Sequence, residues 1–302
     1  RAARVPEWAW VALVVAVSIA LRAWLGSRMP APFIFTDELQ YQENARSIAA
    51  GDGIQVRDEP YGIVSVLYPL LLAPAYALFD SLPEAYAAAR TINAVVMSLA
   101  AIPAYAIARR VLPFRWSIVA AVLAVAVPSM AYTGTLMSEN AFYPVFLFAA
   151  WALLHALDEP TVWRQLALLA ACGAVTLVRV QGLAVVLAAL TAPLLVRRAR
   201  AFLPLYGIAV AGGLLLLVAQ VARGRSVSSV FGAYAVVGEE SYDLADVLRY
   251  AFWHVAELDL YVGVVPLAAF LLLAATARSL EPRLQALVAP PGALPLCPPL
   301  PV

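Results

Sequence analysis

Two adjacent carboxylates, Asp37 and Glu38, are the first residues along the chain that could carry chemistry. They open the stretch 36–51, in which Thr36 is a good N-cap, Gly51 is a good C-terminal stop and apolar residues recur at helical spacing. One interpretation is that they complement the dipole of a first helical turn. The other is that Asp37 acts as a general base on an incoming hydroxyl, while Glu38 positions that hydroxyl or ligates a divalent metal.

Four further polar residues interrupt apolar sequence and are candidates for binding a substrate. They are Arg90, Glu139, Arg179 and Gln181. A phosphate group would find a strong partner in either arginine, although Arg90 could equally snorkel to the membrane surface. Arg179 is harder to explain as an anchor because it splits good lipid-facing sequence. Glu139 belongs either to a site or to an ordinary solvated connection.

The elements that must position these residues are membrane helices. The chain has 302 residues, of which 64% are hydrophobic and 13% charged, and its mean hydropathy is +0.84. A soluble domain carries about twice that share of charge, so lipid is the expected solvent. The net charge of +1 and the lack of a basic run argue against a nucleic-acid partner. All 20 basic residues are arginine, which is typical of a GC-rich, bacterial genome.

Six stretches are apolar and long enough to predict membrane spans. They are residues 8–25, 91–108, 116–132, 141–157, 202–222 and 260–277. Residues 63–79 are shorter and contain two prolines, so we predict a re-entrant or surface-lying helix there. Residues 166–195 are long for one span, and we predict two short helices that meet at residues 179–182.

This assignment obeys the rule that arginine-rich loops stay in the cytoplasm. The arginines of residues 109–115 and 197–200 then lie inside. Four segments lie outside: a long loop 27–90, the connection 133–140, the turn at Arg179 and a loop 223–259. Nearly every polar group that lacks an anchoring role falls in these outer segments. We therefore expect a multi-pass bacterial plasma-membrane protein whose site faces outward.

Several motifs in the first loop resemble those of the GT-C membrane glycosyltransferases, which include the protein O-mannosyltransferases and the lipid A aminoarabinose transferases. They are an outer Asp-Glu pair after the first span, an aromatic residue a few positions on (Tyr41), and Ala-Arg-Ser-Ile-Ala-Ala-Gly-Asp-Gly at 45–53. The Leu-Tyr-Pro-Leu-Leu segment at 67–71 and the Ala-Arg pair at 89–90 with Asn93 are similar to the same family.

The resemblance implies an all-α, GT-C-like transmembrane bundle with surface-lying helices in the first outer loop. It also implies a sugar donor on a polyprenyl phosphate and an acceptor protein, lipid or glycan that enters from outside. In such an enzyme the first-loop carboxylate, here Asp37, is the catalytic base and the anomeric centre is inverted. Arg90 and Arg179 become candidates to neutralise the leaving phosphate, with Tyr41, Glu139 and Gln181 beside them.

The chain also departs from the family pattern. Tyr-Gly-Ile-Val-Ser at 61–65 replaces the usual Lys or His before a Pro-Pro pair. We expect residues 1–280 to form the transmembrane module and 281–302 to be a proline-rich tail, disordered or truncated. A transporter or lipid flippase, or a non-catalytic envelope-assembly protein, remains the alternative. No cofactor is required by any motif, and a divalent metal is an optional ligand.

Overall fold

The computed structural model describes residues 5–29, 36–60, 65–126, 132–224 and 241–262. This part of the chain is almost entirely α-helical, and the predicted all-α membrane bundle is confirmed. Its helices are α1 Glu7–Ser27, α2 Thr36–Ala50, α3 Leu67–Leu78, α4 Leu82–Ser98, α5 Ala101–Ala108, α6 Phe114–Val125, α7 Glu139–Asp158, α8 Val162–Val178, α9 Leu183–Leu195, α10 Leu203–Ala222 and α11 Leu244–Val262. A small antiparallel ribbon, β1 Gln55–Val56 with β2 Glu59–Pro60, follows α2 and was not predicted.

In the described part of the chain, four stretches of helix are long and apolar enough to cross a membrane. They are Glu7–Ser27, Leu82–Ala108, Glu139–Asp158 and Ala199–Ala222. Large apolar side chains on α1 and α10 are exposed, among them Leu13, Leu21 and Leu215. In water such faces would be unfavourable, whereas lipid solvates them.

The arginine-rich turns gather at one end of the bundle, which we call the basic end. Arg109 reaches both carboxylate oxygens of Glu7 at 3.2 Å, so the start of α1 lies beside the end of α5. Arg110 forms a two-pronged ion pair with Asp158 at 2.5 and 2.6 Å, which joins the α5–α6 turn to the end of α7. Arg198 donates to the carbonyl of Asp158 at 3.1 Å. These contacts place the turns 109–113, 158–161 and 196–200 at the same end.

The predicted break within residues 166–195 is confirmed. Helix α8 ends at Val178, Arg179 is extended with φ −153° and ψ 143°, and a 3-10 turn over Val180–Gly182 leads into α9. The sharp return requires a glycine, because a Cβ on Gly182 would lie 2.5 Å from the backbone carbon of Val175. With 17 and 13 residues, the two helices reach about 26 and 20 Å, less than the roughly 30 Å of a full span.

Helix α3 has 12 residues, about 18 Å in length, and packs along α2 and α4. This length is too short for a span, in agreement with the re-entrant or surface-lying helix predicted there. Residues 61–64, at the start of the predicted stretch, lie outside the described part of the chain. Helix α2 stops at Gly51, whose φ of +88° is the left-handed conformation predicted for that position.

Two boundaries were predicted wrongly. The second span starts at Leu82 and not at Thr91, because Ser81 caps the helix by accepting from the N–H of Glu84. The predicted loop 223–259 contains most of α11, which starts at Leu244. Of the predicted span 260–277 only the first three residues are described, and residues 127–131 of the third span are also outside the description.

The described residues form two hydrophobic cores. One core joins α2, α3, α4, α7 and α8 at the end opposite the basic end, and we call this end the site end. Its buried residues include Tyr41, Tyr68, Tyr86, Leu136 and Val178. The other joins α7 to α10 and includes Leu168, Val175, Phe202 and Leu205. The aromatic core therefore lies under the helix that carries Asp37.

Candidate active site

Helix α2 is fixed to the rest of the bundle through Glu38. This side chain is only 2% exposed, and its Oε1 accepts from the hydroxyl of Tyr86 at 2.5 Å and from the backbone N–H of Leu136 at 2.9 Å. Its Oε2 is buried and has no hydrogen-bond partner among the described residues. A charge-assisted hydrogen bond in a buried setting is worth more than a neutral one, so Glu38 anchors the start of α2.

Asp37, the neighbour of Glu38 in the sequence, is exposed. No side chain in the described part of the chain forms a hydrogen bond or ion pair with it. One helical turn later, Tyr41 is 8% exposed and donates its hydroxyl to Ser138 at 3.0 Å. Burial raises the pKa of the Tyr41 phenol, while Ser138 and the nearby charge of Arg179 lower it and Asp37 raises it. The charges of Asp37 and Arg179 are therefore both within electrostatic range of the Tyr41 hydroxyl.

The connection before α7 is buried, in contrast to the solvated loop that was one of its two interpretations. Thr133, Thr135, Leu136, Ser138 and Asn140 are each 5% exposed or less. The amide nitrogen of Asn140 donates to three carbonyls of this connection at 2.9 to 3.0 Å. These hydrogen bonds hold the connection, residues 133–140, in one conformation, and we call it the platform. It places Ser138 and the N–H of Leu136 next to α2.

A second set of hydrogen bonds joins α3 and α4 to the platform. Tyr68 of α3 is fully buried, packs edge-on against Tyr41 with ring centroids 5.0 Å apart, and donates to Asn93 Oδ1 at 3.1 Å. The amide nitrogen of Asn93 in turn donates to the carbonyl of Thr135 at 2.9 Å. Tyr68 packs against the Tyr41 ring and is itself held by Asn93. The orientation of Tyr41 therefore depends on α3 and α4 as well as on α7.

Arg22 ties α1 to the same platform. Its guanidinium donates to Ser18 at 3.1 Å, to Thr133 Oγ1 at 2.7 Å and to the carbonyl of Val125 at 2.5 Å, and the residue is 7% exposed. A cation in the apolar part of a bundle is costly, so several hydrogen bonds at one guanidinium indicate a specific structural task. Arg22 fixes the platform to the first span.

Arg179, at the break between α8 and α9, forms an ion pair with Glu139, the first residue of α7. Its Nε donates to Gln181 Oε1 at 3.3 Å, and its guanidinium lies 6.0 Å from the ring centre of Phe142. The side chains of Arg179 and Glu139 are 23% and 31% exposed. The structure thus brings Arg179, Glu139 and Gln181 together, with the Arg179 charge within electrostatic range of Tyr41.

Arg90 lies in α4, beside the contact between Tyr86 and Glu38. It is two turns inside α4, not at the start of a span, and its Nη1 donates to the carbonyl of Met29 at 3.1 Å. Its guanidinium lies 4.9 Å from the ring centre of Tyr86, and its Nε is buried with no partner in the described part of the chain. Tyr86 therefore links Arg90 to Glu38, and within the described part of the chain Arg90 contacts neither Arg179 nor Asp37.

Among the described residues, no three His, Cys, Asp or Glu side chains come together as metal ligands would. The divalent metal suggested for Glu38 accordingly remains a prediction.

Sequence reasoning missed Tyr68, Tyr86 and Arg22. Tyr86 does carry a weak signal, because it precedes Arg90 by one helical turn, where a tyrosine and an arginine can stack. Tyr68 was noted only as part of a proline-containing motif. Arg22 was hidden by its position in an otherwise apolar span.

A family model described as dolichyl-phosphate-mannose-protein mannosyltransferase matches residues 64–222, just over half of the chain. The match includes Arg90, Glu139, Arg179 and Gln181 and begins after α2, so it does not extend to Asp37 and Glu38. No curated protein and no solved structure matches the chain significantly.

Proposed function

Because the chain belongs to the dolichyl-phosphate-mannose-protein mannosyltransferase family, we propose that it transfers a sugar from a polyprenyl-phosphate donor to an acceptor hydroxyl, with Asp37 as the general base. Membership of this family makes the chain a membrane glycosyltransferase that uses a lipid-linked sugar. The residue roles, the inversion of the anomeric centre and the side of the membrane are the proposal.

The observation that supports it best is that the carboxylate of Asp37 and the guanidinium of Arg179 both lie within electrostatic range of the Tyr41 hydroxyl. Asp37 is an exposed carboxylate without a hydrogen bond to any described residue, so it can accept a proton. Arg179 carries a fixed positive charge nearby. Sugar transfer needs these two things, a base for the acceptor and a cation for the departing phosphate.

The proposed step is a direct displacement. The acceptor oxygen forms a bond to the anomeric carbon as the bond from that carbon to the phosphate oxygen breaks, and the electron pair of that bond stays with the polyprenyl phosphate. The acceptor proton passes to the carboxylate of Asp37. Arg179, and Gln181 through it, stabilises the charge that develops on the leaving phosphate. Attack from the face opposite the leaving group inverts the anomeric centre.

In this scheme Glu38 contributes to catalysis by positioning Asp37. Its carboxylate binds Tyr86 and the N–H of Leu136, and it thereby orients the first turn of α2 and the Asp37 side chain. Tyr41 lines the same site and keeps its phenol neutral, because burial raises its pKa. Arg90 supports the anchor from the far side of Tyr86.

The test is donor-dependent transfer in proteoliposomes. The wild type should move sugar from a mannosyl-phosphoryl-polyprenol to an acceptor, and Asp37→Asn should lower turnover by about 10² to 10⁴, the usual range for a general base. Asp52→Asn is the matched control, because Asp52 is also exposed and lies just after α2. Full activity of Asp37→Asn would refute the role of Asp37, and movement of solute or lipid without sugar transfer would favour the transporter or flippase.

We also propose that the site end faces the outside of the cell. The basic end carries Arg109, Arg110, Arg164 and Arg198, and such charge favours the cytoplasm. A cysteine at Asp52, past the end of α2, should react with an impermeant maleimide in intact cells, whereas a cysteine at Glu159 should react only after lysis. The opposite labelling pattern would show the reverse orientation.

A further inference from the structure

The cation that the proposed reaction needs, the guanidinium of Arg179, is already paired with the carboxylate of Glu139. Arg179 is partly shielded, with a side chain 23% exposed, and it touches Glu139, Gln181 and Phe142. In the structure, then, the guanidinium already holds an anion. A phosphate that approaches Arg179 has to share it with the Glu139 carboxylate or displace that carboxylate.

Glu139 is only half satisfied by this pairing. Its Oε1 contacts Arg179, while its Oε2 is buried and has no hydrogen-bond partner among the described residues. Glu139 is also the first residue of α7, where the helix dipole favours a negative charge. The helix end therefore offers the Glu139 carboxylate a second favourable interaction when Arg179 turns to another anion.

We propose that Glu139 is a built-in competitor for the phosphate at Arg179, and that it weakens binding of the spent polyprenyl phosphate more than binding of the donor. This inference rests on the proposed function, in which Arg179 receives the phosphate. The donor is a phosphodiester with a single negative charge. The product is a phosphomonoester, which carries about 1.5 to 2 negative charges at neutral pH.

The difference in charge determines which ligand the competitor affects more. An unopposed Arg179 attracts the more highly charged product most strongly, and the enzyme would then release it slowly. A carboxylate next to the guanidinium repels the same product most strongly. Glu139 thus speeds product release at the expense of some donor affinity.

The experiment measures binding of farnesyl phosphate to the full chain in nanodiscs, with farnesol as the uncharged control ligand. Glu139→Gln keeps the shape of the side chain and removes its charge. We expect this variant to bind farnesyl phosphate about tenfold more tightly than the wild type, with no change for farnesol. Glu139→Asp, which restores the charge, should return affinity toward the wild-type value.

The matched control is Glu159→Gln. Glu159 pairs with Arg164 at 2.8 Å at the basic end, so this variant removes the same kind of pair far from the site. It should bind farnesyl phosphate as the wild type does. Unchanged or weaker binding by a folded Glu139→Gln protein, with its thermal unfolding midpoint near that of the wild type, would overturn the proposal.

In transfer assays, Glu139→Gln should show a product inhibition constant that falls more than the donor KM. If the product inhibition constant and the donor KM fell by the same factor, Glu139 would not distinguish product from donor, and the proposal would be contradicted. Arg179→Gln separates this inference from the proposed function. Loss of phosphate binding in that variant, together with tighter binding in Glu139→Gln, supports the competitor even in a preparation without transferase activity.

Discussion

The two ends of the bundle use charge in different ways. At the basic end, charged side chains pair with each other or with carbonyls, as in Arg110 with Asp158 and Arg198 with the same turn. At the site end, buried polar atoms are left without partners among the described residues. Glu38 Oε2, Arg90 Nε and Glu139 Oε2 are of this kind, as are atoms of Asn44, Ser47, Tyr76 and Asn140.

A buried polar atom without a partner costs free energy, and proteins retain few of them. In the described part of the chain, all such side-chain atoms lie in α2, α3, α4 or the start of α7, and these elements meet at the site end. The charged groups of the basic end thus satisfy one another, whereas several buried polar atoms of the site end remain available to a ligand or water.

The largest stability effect should come from the basic end. Arg110→Leu leaves the Asp158 carboxylate, whose side chain is 5% exposed, without its ion-pair partner. Breaking a buried pair by removing one side costs about 3 kcal/mol or more. We expect a clear drop in the thermal unfolding midpoint in detergent and an unchanged turnover per folded molecule.

Arg115→Leu is the control for that variant, because Arg115 is an exposed arginine of the same turn region. It should unfold at the wild-type temperature. If Arg110→Leu were as stable as Arg115→Leu, the basic end would not have the stabilising task assigned to it.

A smaller stability effect, with a functional one, is expected at the site end from Tyr86→Phe. This change deprives Glu38 of the hydroxyl donor and leaves a buried carboxylate with less support. The expected loss is about 1 to 2 kcal/mol. Because α2 is then less well fixed, turnover should fall by about tenfold through misplacement of Asp37.

The smallest effect is expected from Tyr105→Phe, the counterpart of Tyr86→Phe at the basic end. Tyr105 also donates to a glutamate, Glu7, at 2.5 Å, but this contact is exposed. Water replaces an exposed hydrogen bond readily, so both the unfolding midpoint and the turnover should stay at wild-type values. An equal loss of turnover in Tyr86→Phe and Tyr105→Phe would remove the distinction between the two ends.

Much of the fold could be predicted from the sequence because membrane spans depend on local properties. Arg179 and Gly182 interrupt a long apolar stretch, and this was enough to predict the break between α8 and α9. The start of α4 was predicted too late because Glu84 and Arg90 lower the local hydropathy. In the structure Glu84 lies in a capped first turn, and the Arg90 guanidinium donates to the carbonyl of Met29 and lies over the Tyr86 ring.

The site was predictable only in outline. The rule that arginine-rich loops stay in the cytoplasm predicted that Glu139 and Arg179 lie at the same end of the bundle. Their ion pair, however, depends on how α7 meets the α8–α9 turn. The bond between Glu38 and Tyr86 joins residues 48 positions apart, and the sequence gives no local sign of it. For the same reason, the different surroundings of the adjacent Asp37 and Glu38, one exposed and one buried, became visible only in three dimensions.

The most direct test of the account compares Asp37→Asn with Arg110→Leu in one preparation, with turnover and unfolding midpoint measured for each. We expect Asp37→Asn to lose at least about 100-fold in turnover at an unchanged midpoint. We expect Arg110→Leu to lose stability at an unchanged turnover per folded molecule. An active Asp37→Asn enzyme, or an Arg110→Leu enzyme that is stable but inactive, would contradict the division of tasks between the two ends.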